Sequence, residues 1–318
     1  MWARLLQPRI LIPLLLSAAL LAFVFSISNI SQVMGYILSL SAATISLVFA
    51  MTVVYLSLKW AQFHRYLERE GIPATWRQSA LSFAVGEMTL PVPAGIYAQN
   101  YVLRTTACAD FSRSSAATTA ILAMEAIVSL LIVGIVDIPS WGWLRPLILA
   151  LFVGAAATSA LFLRVGSARD LAGRLLQWGP MEKVGPELIE AVEGLRDLFR
   201  PGVAAIALPL AALYLSSLVA GFFFTAHGMG FAALSFGEAL TIYLFAIAVE
   251  ELVPFSSNLG VIEAGGVAVA QAWGYSFTEG LAMMLGFRLA WTGSIWLLGA
   301  ITILLLRGEF GQRCDDGC

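Results

Sequence analysis

Residues 81–95 read LSFAVGEMTLPVPAG, and this stretch decides the fold. Residues 81–90 are mostly apolar and predict a helix, but ten helical residues rise only about 15 Å, roughly half of a hydrocarbon core. Pro91 and Pro93 end this helix, because proline lacks a backbone N–H and clashes with the preceding turn. Gly95 completes the break. We expect residues 96–103 to turn back, so that the segment forms a re-entrant hairpin.

The composition of the chain places that hairpin in a membrane. Of 318 residues, 59% are hydrophobic and 12% charged, whereas soluble domains have roughly 45–50% and about 25%. The net charge of −2 gives no basic surface for nucleic acid. Long, mostly apolar runs occupy residues 10–30, 34–58, 114–136, 144–163, 203–226 and 281–306. We predict an all-α, polytopic membrane bundle of about six full spans, although the first run could be a cleavable signal peptide.

A second interruption occurs near the other end of the chain. The apolar run 240–253 meets Pro254, and a helical pattern resumes at residues 261–273. The polar residues and the glycine between them are Ser256, Ser257, Asn258 and Gly260. If this segment enters from the outer face, two hairpins approach the midplane from opposite sides, as in inverted-repeat transporters. Two complete but kinked helices are the alternative.

The basic residues indicate how the chain is oriented. All of the 18 lysines and arginines except Arg145 and Arg288 fall on one side, provided that the first broken segment enters and leaves on that side. This assignment places Lys59 in a loop after the second span. Because basic residues collect in cytoplasmic loops, we expect both termini to be cytoplasmic in a bacterial-type inner membrane.

We expect a single transmembrane domain over residues 1–318. Two repeat-like halves, about 1–164 and 203–306, are joined by a cytoplasmic segment at 165–202. Within it, residues 186–199 space apolar side chains at helical intervals between charged ones. Such a pattern predicts a helix lying on the inner membrane surface.

Ionisable side chains inside the predicted spans are the first functional candidates, because each costs about 2.5–3.5 kcal/mol to insert. They are Glu87, Glu125, Glu250, Glu251, Glu263 and Arg288. One arginine can offset only one or two of the five carboxylates. The others must be protonated, hydrated in a cavity, or paired with a cationic or zwitterionic ligand.

Structural roles are open for the same residues. Glu263 follows Gly260 by three positions and can cap the helix that begins there. Glu125 and Arg288 can form an ion pair that fixes the packing of two helices. Glu250 and Glu251 can lie at the membrane edge if the second break is shallow. Glu87 has no comparable structural explanation, because its helix is not expected to reach the far side.

An anion site is also predicted at the second break. The helix resuming at residue 261 points its positive dipole end toward Ser256, Ser257 and Asn258, and Arg288 can reinforce it. Together with spare carboxylates, this suits a phospholipid headgroup that carries an amine. We add Asn100, on the returning arm of the first hairpin, to these candidate substrate-binding residues.

No arrangement of residues typical of an enzyme is found. His64 and His227 lie far apart in the sequence, every aspartate falls in a loop or tail, and no nucleotide-binding loop or metal-ligand cluster occurs. Cys108, Cys314 and Cys318 suggest no disulfide framework and we interpret them as incidental. We therefore expect a protein that is not an enzyme and has no cofactor and no metal.

Several motifs together resemble the transmembrane region of lysylphosphatidylglycerol synthases, whose free-standing relatives are called flippase-like proteins. They are Gly86-Glu87, Pro91 to Gly95, Tyr101-Val102-Leu103-Arg104, mid-span Glu125, and Pro254 through Leu259-Gly260-Val261-Ile262-Glu263-Ala264. The resemblance covers nearly the whole chain. It implies a polytopic inner-membrane protein that moves an aminoacylated or related lipid between leaflets.

The chain departs from that family at defined positions. Ile262 and Ala126 stand where family members often have arginine, and Ser256-Ser257-Asn258 replace a more glycine-rich stretch. No synthetase domain follows the last span in this sequence, so aminoacyl transfer is not expected. The resulting hypothesis is a lipid translocase without its own ATPase. A proton-coupled transporter of a small solute and a non-catalytic membrane partner of a cell-envelope biosynthetic enzyme are the alternatives.

Overall fold

The structure, a computed structural model, describes residues 29–92, 95–136, isolated positions between 138 and 150, and residues 198–252 and 260–311. Within these residues every regular element is helical. The α-helices are α1 (Ile30–Leu38), α2 (Ala42–Arg69), α3 (Trp76–Thr89), α4 (Ala98–Thr106), α5 (Phe111–Ile135), α6 (Pro201–Gly228), α7 (Phe236–Leu252), α8 (Val261–Ala272) and α9 (Phe277–Leu306). Short 3₁₀ turns occupy Gly95–Tyr97 and Arg307–Gly311.

Four helices are long and apolar enough to cross a membrane: Ala42–Arg69, Phe111–Ile135, Gly202–Gly228 and Phe277–Phe310. They correspond to the runs predicted at 34–58, 114–136, 203–226 and 281–306. The prediction of an all-α polytopic membrane bundle is therefore confirmed. The predicted spans at 10–30 and 144–163 and the surface helix at 186–199 lie, apart from their ends, outside the described residues.

The second predicted span differs from the observed helix at both ends. Helix α1 stops at Leu38, and α2 begins after Ser41, whose side chain accepts a hydrogen bond from the Thr44 N–H at 3.1 Å. Helix α2 then continues to Arg69. Lys59 is therefore an interior residue of α2, with 2% of its surface exposed. Its assignment to a cytoplasmic loop is wrong.

The first broken segment is a helical hairpin formed by α3 and α4. At its base the Gln78 side-chain amide donates to the Thr106 carbonyl at 2.6 Å. At its tip the Thr89 hydroxyl donates to the Gly95 carbonyl at 2.7 Å. The arms have 14 and 9 residues, which gives lengths of about 21 and 14 Å. Both are shorter than a hydrocarbon core of about 30 Å.

The second broken segment also forms a hairpin, from α7 and α8. The Trp273 indole N–H donates to the Thr241 hydroxyl at 3.0 Å near the base. Closer to the tip, a Cβ atom added to Gly265 would lie 3.3 Å from the Ala246 Cα, so a larger residue would require the two helices to move apart by a few tenths of an ångström. Helix α8 has 12 residues, or about 18 Å. Its length favours a hairpin over two complete crossings.

Helix α9 shows how the two hairpins are oriented. Its Gly280 packs on Ala270 in the base of the second hairpin, whereas Arg288, two turns later, contacts Glu263 at the tip. Farther along, the Trp296 indole N–H donates to the Met88 carbonyl at the tip of the first hairpin, at 3.2 Å. Beyond it, the turn after α9 contacts α4. The two tips therefore face each other halfway along α9, with their bases at opposite ends.

One sequence interpretation requires correction. Cys108 is disulfide-bonded, so the interpretation of all three cysteines as incidental does not hold for it. The other two cysteines of the sequence, Cys314 and Cys318, lie outside the described residues.

The orientation of the hairpins predicts opposite accessibility of their bases. Arg77, at the start of α3, and Ala233, in the loop before α7, are both exposed. In a chain whose native cysteines are replaced by serine, Arg77→Cys and Ala233→Cys should react with a membrane-impermeant maleimide from opposite sides of the membrane. Labelling of intact and permeabilised cells measures this. Labelling of both positions from one side would contradict the arrangement.

Candidate functional site

A cavity of about 440 Å³ lies between the two hairpin tips. The first tip contributes Pro91 and Gly95, and the second contributes Glu250, Ile262 and Glu263. Helices α2, α5 and α9 close its sides. This volume is within the range of about 300–1,000 Å³ that is usual for small-molecule sites. The helix ends that flank the two predicted breaks therefore line one cavity.

Lys59 is the centre of the charged wall of this cavity. Its ammonium nitrogen lies 2.9 Å from Glu125 Oε1 and 3.1 Å from Glu87 Oε1. It also donates to the Tyr55 hydroxyl at 2.8 Å, one helical turn earlier on α2. Tyr55 in turn donates to Glu125 Oε1 at 3.5 Å. One lysine thus joins α2, α3 and α5 in the interior of the bundle.

Aromatic rings hold Tyr55 in place. Tyr214 of α6 and Trp291 of α9 pack edge-on against its ring, with centroids 5.6 and 5.2 Å away. Edge-on packing is one of the favoured geometries for aromatic pairs. The hydroxyl that orients Lys59 is therefore fixed by packing from two further helices.

Glu87 is less well satisfied than Glu125. It is 2% exposed, and its contact with Lys59 is electrostatic without hydrogen-bond geometry. Neither of its carboxylate oxygens has a hydrogen-bond partner among the described residues. Buried polar groups are nearly always hydrogen-bonded. This carboxylate lines the cavity, so it is a candidate for binding a ligand there.

A second ion pair lies at the tip of the second hairpin. Arg288 of α9 donates to Glu263 Oε1, while Glu263 Oε2 accepts from the Gly260 N–H at 2.7 Å. Glu263 therefore caps α8 and binds Arg288 at the same time. The carboxylate is fully buried, whereas one fifth of the Arg288 side chain remains exposed, toward the cavity that it lines.

The other candidates divide into three groups. Glu250 lines the cavity. Asn100 does not: it is fully buried against α5, where its amide donates to the Ser115 hydroxyl at 3.0 Å and its carbonyl accepts from the Thr118 hydroxyl at 3.0 Å. The side chains outside the described residues are those of Pro93, Glu251, Pro254, Ser256, Ser257 and Asn258.

The ion pairs differ from those expected from sequence. Glu125 pairs with Lys59, and Arg288 pairs with Glu263, so the expected Glu125–Arg288 pair is not formed. Sequence reasoning missed Lys59 because a charged residue ends an apolar run in a hydropathy scan. A signal was present: Trp60, Phe63 and Leu67 continue the helical spacing of apolar residues beyond it.

A smaller cavity of about 190 Å³ adjoins the first one, and it shares Glu87 and Ile295 with it. Its walls are mainly apolar and come from α2, α3 and α9. They include Leu56, Trp60, Phe83, Ala84 and Leu298. At its rim, Val53 is 39% exposed and Ser57 is also exposed. An apolar groove therefore leads from the outer surface of the bundle to Glu87.

These features define a polytopic membrane protein in which two facing helical hairpins enclose a charged cavity. The family profile described as Lysylphosphatidylglycerol synthase TM region matches residues 10–299. The chain belongs to this family, as its motifs suggested. No curated protein matches the chain, and no solved structure matches it.

The ion pairs of Lys59 with Glu87 and Glu125 should stabilise the folded protein. We expect Lys59→Met to destabilise the protein by about 3–5 kcal/mol, because it leaves two buried carboxylates without their cation. The triple variant with Glu87→Gln and Glu125→Gln as well should recover most of this loss. Denaturant unfolding in detergent measures both effects. A triple variant as unstable as the single one would assign the loss to packing of the lysine stem.

Proposed function

We propose that this protein is a lipid translocase, which moves a phospholipid or an aminoacylated lipid between the leaflets without an ATPase of its own. The observation that carries this proposal is the charged cavity between the two facing hairpin tips. Membership in a lipid-related membrane protein family agrees with it. We propose no enzymatic activity for these residues.

The physical barrier to lipid movement is the headgroup. Transfer of a charged or zwitterionic group through hydrocarbon is costly, because nothing there replaces its hydration. The cavity offers replacements at mid-membrane, namely the Glu87 carboxylate, the partly exposed Arg288 guanidinium and the Tyr97 and Thr119 side chains. A headgroup that reaches the cavity exchanges water for these groups.

The adjoining groove fits the rest of a lipid. Its apolar walls suit an acyl chain, whereas the first cavity suits a polar group, and the two share Glu87. A small polar solute would fill the first cavity and leave the groove without a role. The pair of cavities therefore favours an amphiphile over the alternative of proton-coupled solute transport.

The charges of the cavity indicate which headgroups it prefers. Four carboxylates, those of Glu87, Glu125, Glu250 and Glu263, face two cations, Lys59 and Arg288. Ile262 and Ala126, which stand where family members often have arginine, also line the cavity. This excess of carboxylates favours a headgroup with an amine, while Arg288 is placed to meet its phosphate.

Lipid movement can be measured directly. Purified protein in liposomes should accelerate exchange of a fluorescent phospholipid between leaflets, read by an impermeant quencher. Arg288→Gln should slow it about tenfold, equivalent to about 1.4 kcal/mol, by removing a charged contact. Arg307→Gln, an exposed position after α9 outside the cavity, is the matched control. Exchange no faster than in protein-free liposomes would contradict the proposed function.

The groove can be tested separately. Ser57→Trp places a large ring at its rim, so lipid exchange should fall severalfold while the fold is retained. Ser46→Trp is the control, because Ser46 is also exposed and lies three turns earlier on the same face of α2, outside both cavities. Equal rates for the two variants would remove the groove from the lipid pathway.

A further inference from the structure

A row of buried polar side chains extends along α2 from the cavity toward one end of the bundle. Its members are Tyr55, Lys59, Gln62 and Tyr66, and each is at most 5% exposed. The intervals of four, three and four residues keep all of them on one face of the helix. Tyr55 and Lys59 line the cavity, whereas Tyr66 lies one turn before Arg69, the exposed last residue of α2. The row is about 16 Å long, roughly half of a hydrocarbon core.

The middle of this row contains a polar atom without a partner. The Gln62 side-chain N–H donates to the Tyr66 hydroxyl at 3.0 Å, but Gln62 Oε1 has no hydrogen-bond partner among the described residues. A rotation of the amide by half a turn would only exchange the unpaired oxygen for an unpaired nitrogen. Lys59, the preceding member, already directs its ammonium group at three other side chains. The row is therefore incomplete between Lys59 and Gln62.

Tyr214 of α6 presents a second unpaired group at the same place. Its side chain is fully buried, and its hydroxyl has no hydrogen-bond partner in the part of the chain that the structure describes. The ring packs edge-on against Tyr55, and the side chain interacts electrostatically with both Lys59 and Tyr66. An amide oxygen on α2 and a hydroxyl on α6 therefore flank the interval in the row.

We propose that water binds between Gln62 and Tyr214 and joins the cavity to the end of the bundle at the base of the first hairpin. A water molecule can donate to Gln62 Oε1 and accept from the Tyr214 hydroxyl, so one small ligand satisfies both groups. Buried waters make about three such hydrogen bonds to groups that are otherwise unpaired. Leaving both groups unbonded is costly in a protein interior, and more so at membrane depth.

The surroundings favour water over an ion or a larger molecule. The Lys59 ammonium group repels a second cation at this position. An anion is repelled by the Glu125 carboxylate, which binds Lys59 at 2.9 Å, and it has no hydrogen to donate to Gln62 Oε1. Neither Gln62 nor Tyr214 lines one of the two described cavities, so the space between them suits a ligand as small as water.

The water path has a consequence that rests on the proposed function. A lipid that moves its headgroup out of the cavity must be replaced there by water. The acyl chain of that lipid excludes water from the apolar groove beside Glu87. Water that enters along α2 reaches Lys59 by a separate route, so it can hydrate the charged wall of the cavity as the headgroup leaves.

Hydroxyl-radical footprinting of the native chain tests for this water without any lipid transport. X-ray pulses split bound water into hydroxyl radicals, which oxidise the aromatic rings beside it. In phosphatidylcholine nanodiscs, we expect Tyr66 and Tyr214 to be oxidised severalfold faster than Phe63 and Phe222, as measured by mass spectrometry of peptides. The two phenylalanines are matched controls, because all four rings are at most 2% exposed and lie on the same two helices. Equal rates for the tyrosines and phenylalanines would overturn the proposal.

A variant tests whether Gln62 holds the water. Gln62→Leu keeps a similar volume but removes the polar atoms, so oxidation of Tyr214 should fall severalfold. Thr52→Val is the control, because Thr52 is a buried polar residue of α2 on the other side of Lys59 and its hydroxyl is bonded to the Val48 carbonyl.

The control variant should leave the oxidation of Tyr214 unchanged. An unchanged rate in Gln62→Leu, or an equal fall in Thr52→Val, would contradict a water site at Gln62. Lipid exchange is not measured in these experiments, so a failure here is distinguishable from a failure of the proposed function.

Discussion

The contact between Lys59 and two glutamates is the interaction on which the rest of the described structure depends. Lys59 comes from a membrane-length helix, Glu87 from a hairpin arm that is too short to cross, and Glu125 from another long helix. Hydrocarbon cannot solvate the broken backbone of the hairpin, which is tolerated only against protein or a hydrated cavity. The ion pairs attach the hairpin to the long helices and line that cavity with charge.

Much of this architecture could be predicted from the sequence because its signals are local. Proline and glycine define the first break directly, and Glu263 three residues after Gly260 is a local capping pattern. Because charge is costly inside a membrane, the sequence singled out Glu87, Glu125, Glu263 and Arg288, and all four line the larger cavity. Such predictions need only spacing along the chain and the cost of burial.

The partners of these charges could not be predicted, because they depend on how the helices are rotated and packed. Which cation meets Glu125 is set by the faces that α2 and α9 present to α5, and the sequence pattern does not specify those faces. Lys59 was placed in a loop for a related reason: a hydropathy scan cannot distinguish a lysine at the membrane surface from one paired inside. Asn100 likewise faces α5 and not the cavity.

The meeting of the two hairpin tips halfway along α9 has an electrical consequence. Where water follows polar segments inward from both faces, the insulating layer becomes thinner than the bilayer, and the membrane voltage falls across that short distance. A charge that moves between the tips then experiences most of the voltage, worth about 2.3 kcal/mol per 100 mV for a full crossing. If the proposed lipid movement holds, the membrane potential acts on a charged headgroup mainly between the two tips.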